Sequence, residues 1–565
     1  MDLRSLVGVA LAVALAAHSG LPGGVFVGGA VLVLTILTVR VLDGRPTTGD
    51  RSARHRSVVG WGLSVLLVLV VAHRADTGRA DLDRPLPEGP VEGVAWVVGD
   101  PVRTDLGFRT VLRLQGVRYW TIVPDFAGTG AGGLLVGDRV WVRGRAAPFD
   151  GARDSWRWSR HLAGVLRVEE LRPGPPAPVW VSLPNAIRRL LVAGAEGLDE
   201  DRRALYLGLV IGDDREQDDL DRFRFRVSGL GHLLVVSGQN VALVLAAAAP
   251  ALLRLPRRLR PVVGAAVVAC FVVVTRAEPS VLRAAVMAVV VLLATAEGRV
   301  AGGVRALAWS VVVLVVIDPL LVHSLGFLLS VVATLGLSVG SSPVAARLRG
   351  PRWWRELVGA SVAAQLATTP VQVLAFGVVP AVSLPANLLA VPVAGVVVVL
   401  GATVGLLAGA LHPVVAGPLV VPIGLLVGWI DGVATASSRL PVAPLGPVGA
   451  CIAVVAAGLV WSSWRTGGPV GRCGGVALGL VVLVALLLPS QPAPGRHRLA
   501  AAAVLDVSPG GRRVVGIAPG ARTLDVLDSL WRLGVDRVDL IAGPDGSPAV
   551  SAVAEQFGPG RGAAR

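Results

Sequence analysis

The sequence predicts a polytopic α-helical membrane protein of about thirteen spans, interrupted by one polar, β-rich domain and followed by a soluble α/β tail. Three observations carry that expectation. Of 565 residues, 53% are hydrophobic and only 16% charged, where an ordinary soluble domain carries about 25% charge. Mean hydropathy is +0.68. Repeated windows of roughly 18 or more residues hold almost no charge, long enough to cross a hydrocarbon layer of about 30 Å.

Taken in order, the first block (1–73) offers apolar segments near 5–20, 22–40 and 58–73, with the basic loop "RVLDGRPTTGDRSARHRS" before the third. The leading segment lacks a small-residue cleavage site and reads as a first membrane helix, not a removable signal. Residues 74–182 change character. They mix both charge signs and alternate with period two in "GFRTVLRLQGVRYWTIV" and "GDRVWVRGRAAPF", the pattern of short strands in a small barrel or sandwich. Residues 183–229 form an amphipathic helical connector. From 230 to 489 the chain is nearly all apolar, with spans expected near 230–253, 261–275, 279–296, 304–321, 324–341, 356–378, 386–411, 413–430, 446–464 and 473–489. Pro380, Pro385, Pro392, Pro413 and Pro418 mark possible broken or re-entrant helices in this block. Residues 490–565 turn soluble again and read as strand, turn, strand, helix, strand.

The basic connectors fix an orientation. "RLPRRLRP", "GRVAGGVR", "RLRGPRWWR", "RTGGPVGR" and the 40–57 loop all fall on one side of these spans. The positive-inside rule makes that side cytoplasmic, which leaves the β domain and the tail outside. The same rule accounts for most of the net charge of +15. The chain has no Lys at all, so its Arg content alone is no sign of phosphate recognition. Trp353 and Trp354 read as an interfacial anchor.

Polar side chains in the apolar block cost free energy in lipid and usually face a bundle interior or a wet cavity. "SGLGHLLVVSGQNVALVL" carries His232, Ser237, Gln239 and Asn240. A continuous helix would stack His232 with the two amides on one face; a break at Ser237-Gly238 would expose backbone instead. "TRAEPSVLRAAVMA" adds Glu278 and Arg283, and "VIDPLLVHSLGFLLSVVATLG" adds Asp318, His323 and Ser330. Gln365, Thr368, Thr369 and Gln372 follow, with Asn387 between Pro385 and Pro392. Ser, Thr, Asn and Gln at such positions also serve as ordinary interhelical glue.

Several chemistries lack their signatures. There is no phosphate-binding G-x-x-x-x-G-K-[ST] loop, no G-x-S-x-G elbow and no H-E-x-x-H pair. Cys270, Cys451 and Cys473 are scattered, and the eight His are widely separated, so no metal-ligand spacing emerges. No cofactor is expected. The sequence suits a pore or carrier better than an enzyme.

With those residues in hand, the chain resembles the ComEC-type competence proteins, inner-membrane channels of bacterial DNA uptake. The resemblance runs through "GLVIGDDREQDDLDRFRFRVSGLGHLLVVSGQNVALVL", "EPSVLRAAVMA", "GRVAGGVRALAWS", "IDPLLVHSLGFLLSVVATLG" and "TTPVQVLAFGVVPAVSLPANLLAVPVAG", in the family's order. It implies that 74–182 is an OB-like domain, with "PFDGARDSWRWSRHLAGVLRVEEL" before its closing strands. It also implies that "VLDVSPGGRRVVG" begins a metallo-β-lactamase-like domain, here truncated and degenerate. Two departures stand out. Where the family has Ser-Gly-Leu-His, residues 237–240 read Ser-Gly-Gln-Asn, and a neutral amide carries no proton. Where the family has Gly-Gln-Gly-Asp, residues 508–511 read Ser-Pro-Gly-Gly, and the His-x-His-x-Asp-His metal motif is absent. The implied function is passage of single-stranded DNA across the cytoplasmic membrane during natural transformation, without nuclease activity. His232, Ser237, Gln239, Asn240, Glu278, Arg283, Asp318, Ser330, Gln365 and Asn387 are the expected channel-lining or motif residues. On the β domain, Arg109, Trp120, Trp141 and Arg143 are expected to hold the strand, with Trp96, Phe108, Tyr119, Trp156 and Trp158 as further aromatic candidates. A DNA receptor outside and a helicase inside are the implied partners. The alternatives are a small-molecule or ion transporter, and a membrane hydrolase remnant that has lost its metal site.

Overall fold

The computed structural model describes residues 69–104, 107–124, 131–149, 156–298, 302–453, 456, 492–500 and 502–558. The expected spans near 5–20, 22–40 and 473–489, and most of those near 58–73 and 446–464, lie outside the described residues. After a helical stretch at 69–82 come five strands, β1 (Pro90–Thr104), β2 (Gly107–Leu114), β3 (Val117–Val123), β4 (Arg139–Ala147) and β5 (Leu162–Pro173). Helices α1 (Val179–Gly194), α2 (Glu200–Ile211) and α3 (Asp219–Val227) follow. The apolar block supplies α4 (Gly238–Arg254), α5 (Arg260–Val274), α6 (Pro279–Ala296), α7 (Gly303–Ile317) and α8 (Leu325–Ala345). It continues with α9 (Arg352–Phe376), α10 (Ser383–Leu400) and α11 (Pro413–Ser438). The tail contributes β6 (Gly495–Ala500), β7 (Ala503–Val507), β8 (Arg513–Ile517), α12 (Thr523–Arg532), β9 (Leu540–Ala542) and α13 (Pro548–Phe557).

Five helices are long and apolar enough to span a membrane: Pro279–Ala296, Leu325–Ala345, Arg352–Phe376, Ser383–Gly409 and Val414–Ser438. The chain is a membrane protein on that ground and on its composition. α4, α5 and α7 are shorter apolar helices. Pro370, Pro392 and Pro418 do not break their helices, and Ser383–Gly409 runs through a π-helical turn at Gly401–Gly405.

Two compact units divide the chain. One comprises Met1–Gly197, Val236–Ser338 and Val398–Pro418; the other comprises Leu198–Val235, Val339–Val397 and Leu419–Arg565. In the first, the strands close a barrel in the order β1-β2-β3-β5-β4, with β3 and β5 parallel and the other pairs antiparallel. This is an OB-like barrel. Alternation places Ala95, Val97, Leu112, Leu114, Tyr119, Val140, Val142, Leu166 and Val168 inside it. Register shifts between Val97 and Val102 in β1, and at Arg143/Gly144 in β4, bend strands that must wrap a narrow core. In the same unit Val241, Val268, Val281 and Ala285 pack α4, α5 and α6 together, while Val71, Ala72 and Ala75 pack against α7. A Cβ on Gly409 would collide with Leu190 O, and one on Gly194 with Gly405 O. Small residues therefore let α1 and the 401–409 segment touch backbone to backbone.

In the second unit the tail forms a four-stranded sheet ordered β6-β7-β8-β9, with only β8 and β9 parallel. Its core is shared with α3. Leu220, Phe223 and Val227 are buried among Leu505, Val515, Val526, Leu530, Val553 and Phe557. Arg224 adds a bond to Glu555 Oε1 at 2.5 Å.

Candidate functional site

Arg283 is buried in the first unit. Pro279 opens α6, a position where its missing N–H costs nothing, and Arg283 lies one turn later with 5% of its surface exposed. Its Nε donates to Ser330 Oγ of α8 at 2.8 Å, and its Nη1 lies 3.1 Å from Met287 Sδ. No carboxylate stands within 4.0 Å of it among the described residues. The start of α4 faces its free edge: a Cβ on Gly238 would lie 2.5 Å from Arg283 Nη2.

Ser237 sits at the N-cap of α4 with extended backbone, φ −93 and ψ 159. Its hydroxyl caps nothing and instead donates to Asn240 Oδ1 at 3.1 Å. Asn240 is buried, whereas Gln239 is exposed on the same turn. Ser280 Oγ donates to Val236 O at 2.7 Å, tying the entry of α4 to the entry of α6, where Glu278 takes the N-cap position. Thus the structure brings Ser237, Asn240, Arg283 and Ser330 together.

His232 is not part of that group. It belongs to the second unit, in a short 3-10 turn at Gly231–Leu233, and the chain is extended at Ser237 before α4 begins. The continuous-helix alternative, with His232 stacked over Gln239 and Asn240, is therefore overturned. The reason is a turn that needs glycine. Gly229 adopts φ +76, which L side chains rarely take, and a Cβ there would also strike Ser383 Oγ. His232 is exposed, with Nδ1 3.2 Å from Gly229 O. Behind that turn, Ser383 Oγ donates to Gln365 Oε1 at 2.9 Å, and Asn387 Nδ2 donates to Ser383 O at 2.7 Å. Thr369 Oγ1 donates to Gln365 O at 2.7 Å, and Gln372 Nε2 to Thr368 Oγ1 at 3.1 Å. Gln365 and Asn387 thus meet through Ser383, a residue the sequence did not single out.

Asp318 departs from the expected polar lining. It ends α7, accepts from Leu320 N at 3.0 Å, and its Oδ2 lies 2.9 Å from Nε2 of His161 on the barrel. Trp158 packs edge-on to His323 with ring centroids 5.0 Å apart. The sequence also gave no hint of the cluster around Asp100. Its carboxylate accepts from Arg276 Nε and Nη2, both at 3.0 Å, and from Arg188 Nη2 at 3.1 Å. Asn185 Oδ1 accepts from Arg276 Nη1 at 2.9 Å.

On the barrel, aromatic rings and guanidinium groups interleave. Arg109 lies 5.2 Å from the Trp120 ring centroid, and Arg160 lies 5.7 Å from both Trp120 and Trp156. Trp120 and Trp156 meet edge to face at 5.4 Å, and Phe149 joins Trp156 at 5.7 Å. Trp141 is covered by Arg172 at 5.2 Å, while Arg143 is exposed with Glu92 3.9 Å away. Trp96 is covered by Arg139 at 4.2 Å. Tyr119 is a core residue, 4% exposed, and so is no surface contact.

The barrel and the polar residues set among apolar helices define a membrane protein with an OB-like module. Residues 209–466 match the family model described as Competence protein. ComE operon protein 3 of Bacillus subtilis (strain 168) is 27% identical over 240 residues, which is 42% of this chain and 30% of that relative. The match therefore spans under a third of the relative's length. Over this segment the chain is similar to the ComEC-type competence proteins. No solved structure matches it.

Proposed function

We propose that this protein is the membrane conduit through which single-stranded DNA crosses the cytoplasmic membrane during natural transformation. One observation carries the reading: the segment matching the competence family is also the segment that holds Arg283, Ser237 and Asn240, and the Gln365–Ser383–Asn387 chain. In this account the barrel lies outside the cell and receives the strand. Bases stack on Trp120 and Trp156 while Arg109 and Arg160 meet phosphates, an arrangement worth about 1–3 kcal/mol per stacked base. Inside the membrane, hydroxyls and amides take the place of water around the passing backbone, and Arg283 favours its negative charge. A DNA-receptor protein delivers the strand and a cytoplasmic helicase or the membrane potential drives it.

The account assigns no nuclease step to this chain. Zinc hydrolysis needs ligands around an open metal position, and Ser508-Pro509-Gly510-Gly511 supplies none where the related motif has Asp. Chelator-sensitive digestion of DNA by the purified protein would overturn that part. The conduit itself is tested by uptake of labelled DNA in cells carrying His232→Ala or Arg283→Ala. Uptake is expected to fall in both; normal transformation with both changes in well-expressed protein would refute the proposal.

A further inference from the structure

The geometry points to a phosphate-binding site between Arg283 and the first turn of α4. Two independent features call for an anion there. The first is a cation that is 95% removed from solvent yet bonded only to a hydroxyl and a thioether, with Nη2 making no hydrogen bond among the described residues. A buried guanidinium normally acquires a counter-charge, because an uncompensated charge in a low-dielectric region costs several kcal/mol (about 3–5 when a partner is removed). The second is what that free edge faces. The 17-residue helix α4 begins beside it, and the positive end of a helix carries about half a unit charge and unsatisfied N–H groups. The Ser237 hydroxyl caps none of them, turning instead to Asn240 Oδ1, and Ser237 O takes only the N–H of Asn240.

Two positive poles in one buried place repel unless an anion lies between them. A phosphate oxyanion suits both: it accepts the paired N–H groups of a guanidinium and the backbone N–H groups of a helix start. Gly238 lets the guanidinium come up against the helix start, since a Cβ there would lie 2.5 Å from Nη2. The exposed amide of Gln239 supplies a neutral donor on the same turn. The natural source of the phosphate follows from the strand-conduit reading, on which this point alone rests; an anionic lipid headgroup would present the same chemistry.

Charge-selective thiol labelling of the full chain in detergent tests the site without relying on transport. Cys270, Cys451 and Cys473 are replaced by Ser and Ser237→Cys is introduced. Its reaction with an anionic (sulfonatoethyl) and a cationic (trimethylammonioethyl) methanethiosulfonate is then timed, each rate normalised to a free thiol. The anionic reagent is expected to be favoured by about tenfold, the lower range for focused electrostatic attraction. The preference should vanish in Arg283→Gln and persist in Arg283→Lys, which keeps the charge and controls for misfolding. Sodium pyrophosphate and oligothymidylate should each slow labelling, and an uncharged methylphosphonate oligothymidylate should not. Protection by phosphatidylglycerol but not by oligothymidylate would keep the site, name a lipid as its source and count against the conduit. Equal normalised rates, or a preference that survives Arg283→Gln, would overturn the site.

Discussion

Asp100→Ala tests how the barrel is fixed to the helices of its own unit. Asp100 accepts four hydrogen bonds: two from Arg276, one from Arg188, and one from Val136 N at 2.9 Å. Side-chain exposures are 12% for Asp100, 2% for Arg188 and 14% for Arg276, so the cluster is nearly dry. Removing the carboxylate leaves two buried guanidinium groups facing each other without their shared counter-charge, although Asn185 Oδ1 and Val274 O still accept from them. Losing one partner of a buried pair costs about 3–5 kcal/mol, against about 0–1 kcal/mol for an exposed pair. The upper range is expected here because one carboxylate serves two cations. Denaturant unfolding of the purified protein, followed by tryptophan fluorescence, reads the loss. The triple change Asp100→Leu, Arg188→Met, Arg276→Met removes every charge together and should recover much of it. A cost for Asp100→Ala below about 1 kcal/mol, or a triple variant weaker than the single one, would refute the reasoning.

Three further outcomes follow. Phe223→Ala should expose the core shared by α3 and the tail, where Phe223 is 1% exposed and meets Phe557 at 6.1 Å. A loss of about 3–5 kcal/mol would appear as early proteolysis of the tail with the barrel intact. Asp221, on α3, is held protonated to about pH 6 by burial first and by the Asp431 carboxylate second, with Arg224 opposing. A carboxyl raised above its unfolded value costs stability as pH rises from about 4 through about 6. Asp221→Asn should therefore gain on the parent protein across that window and keep the gain at neutral pH; parallel pH–stability curves would contradict it. Trp120→Ala should weaken fluorescent oligothymidylate binding by roughly 1–3 kcal/mol, and Arg109→Gln should flatten its salt dependence.

Much of the architecture was legible because its causes are local. Windows with almost no charge mark α6, α8 and α9 to within a few residues, and period-two alternation over 107–123 marks β2 and β3. Proline misleads in a long apolar run: Pro392 and Pro418 sit inside helices because neighbouring contacts tolerate the missing N–H. The helix expected over 230–253 starts only at Gly238, since the turn at Gly229 depends on the closeness of Ser383, which no local pattern announces. For the site, polarity in an apolar context selected Arg283, Ser330, Asn240, Gln365 and Asn387, which is a local property. Their grouping is not local. Asp100 meets Arg188 and Arg276 across 88 and 176 positions, and His161 meets Asp318 across 157. Each of those residues is ordinary in its own stretch.

The central claim is that DNA passes along the polar residues of the helical domain. Photo-crosslinking during uptake tests it most directly, with a crosslinking side chain placed at Ser330 or at Asn387 and, as the contrast, at Leu374, which is 87% exposed on α9. Incoming labelled strand should crosslink at Ser330 and Asn387 and not at Leu374. Crosslinks at none of the three in cells that still take up DNA, or at Leu374 alone, would contradict the account.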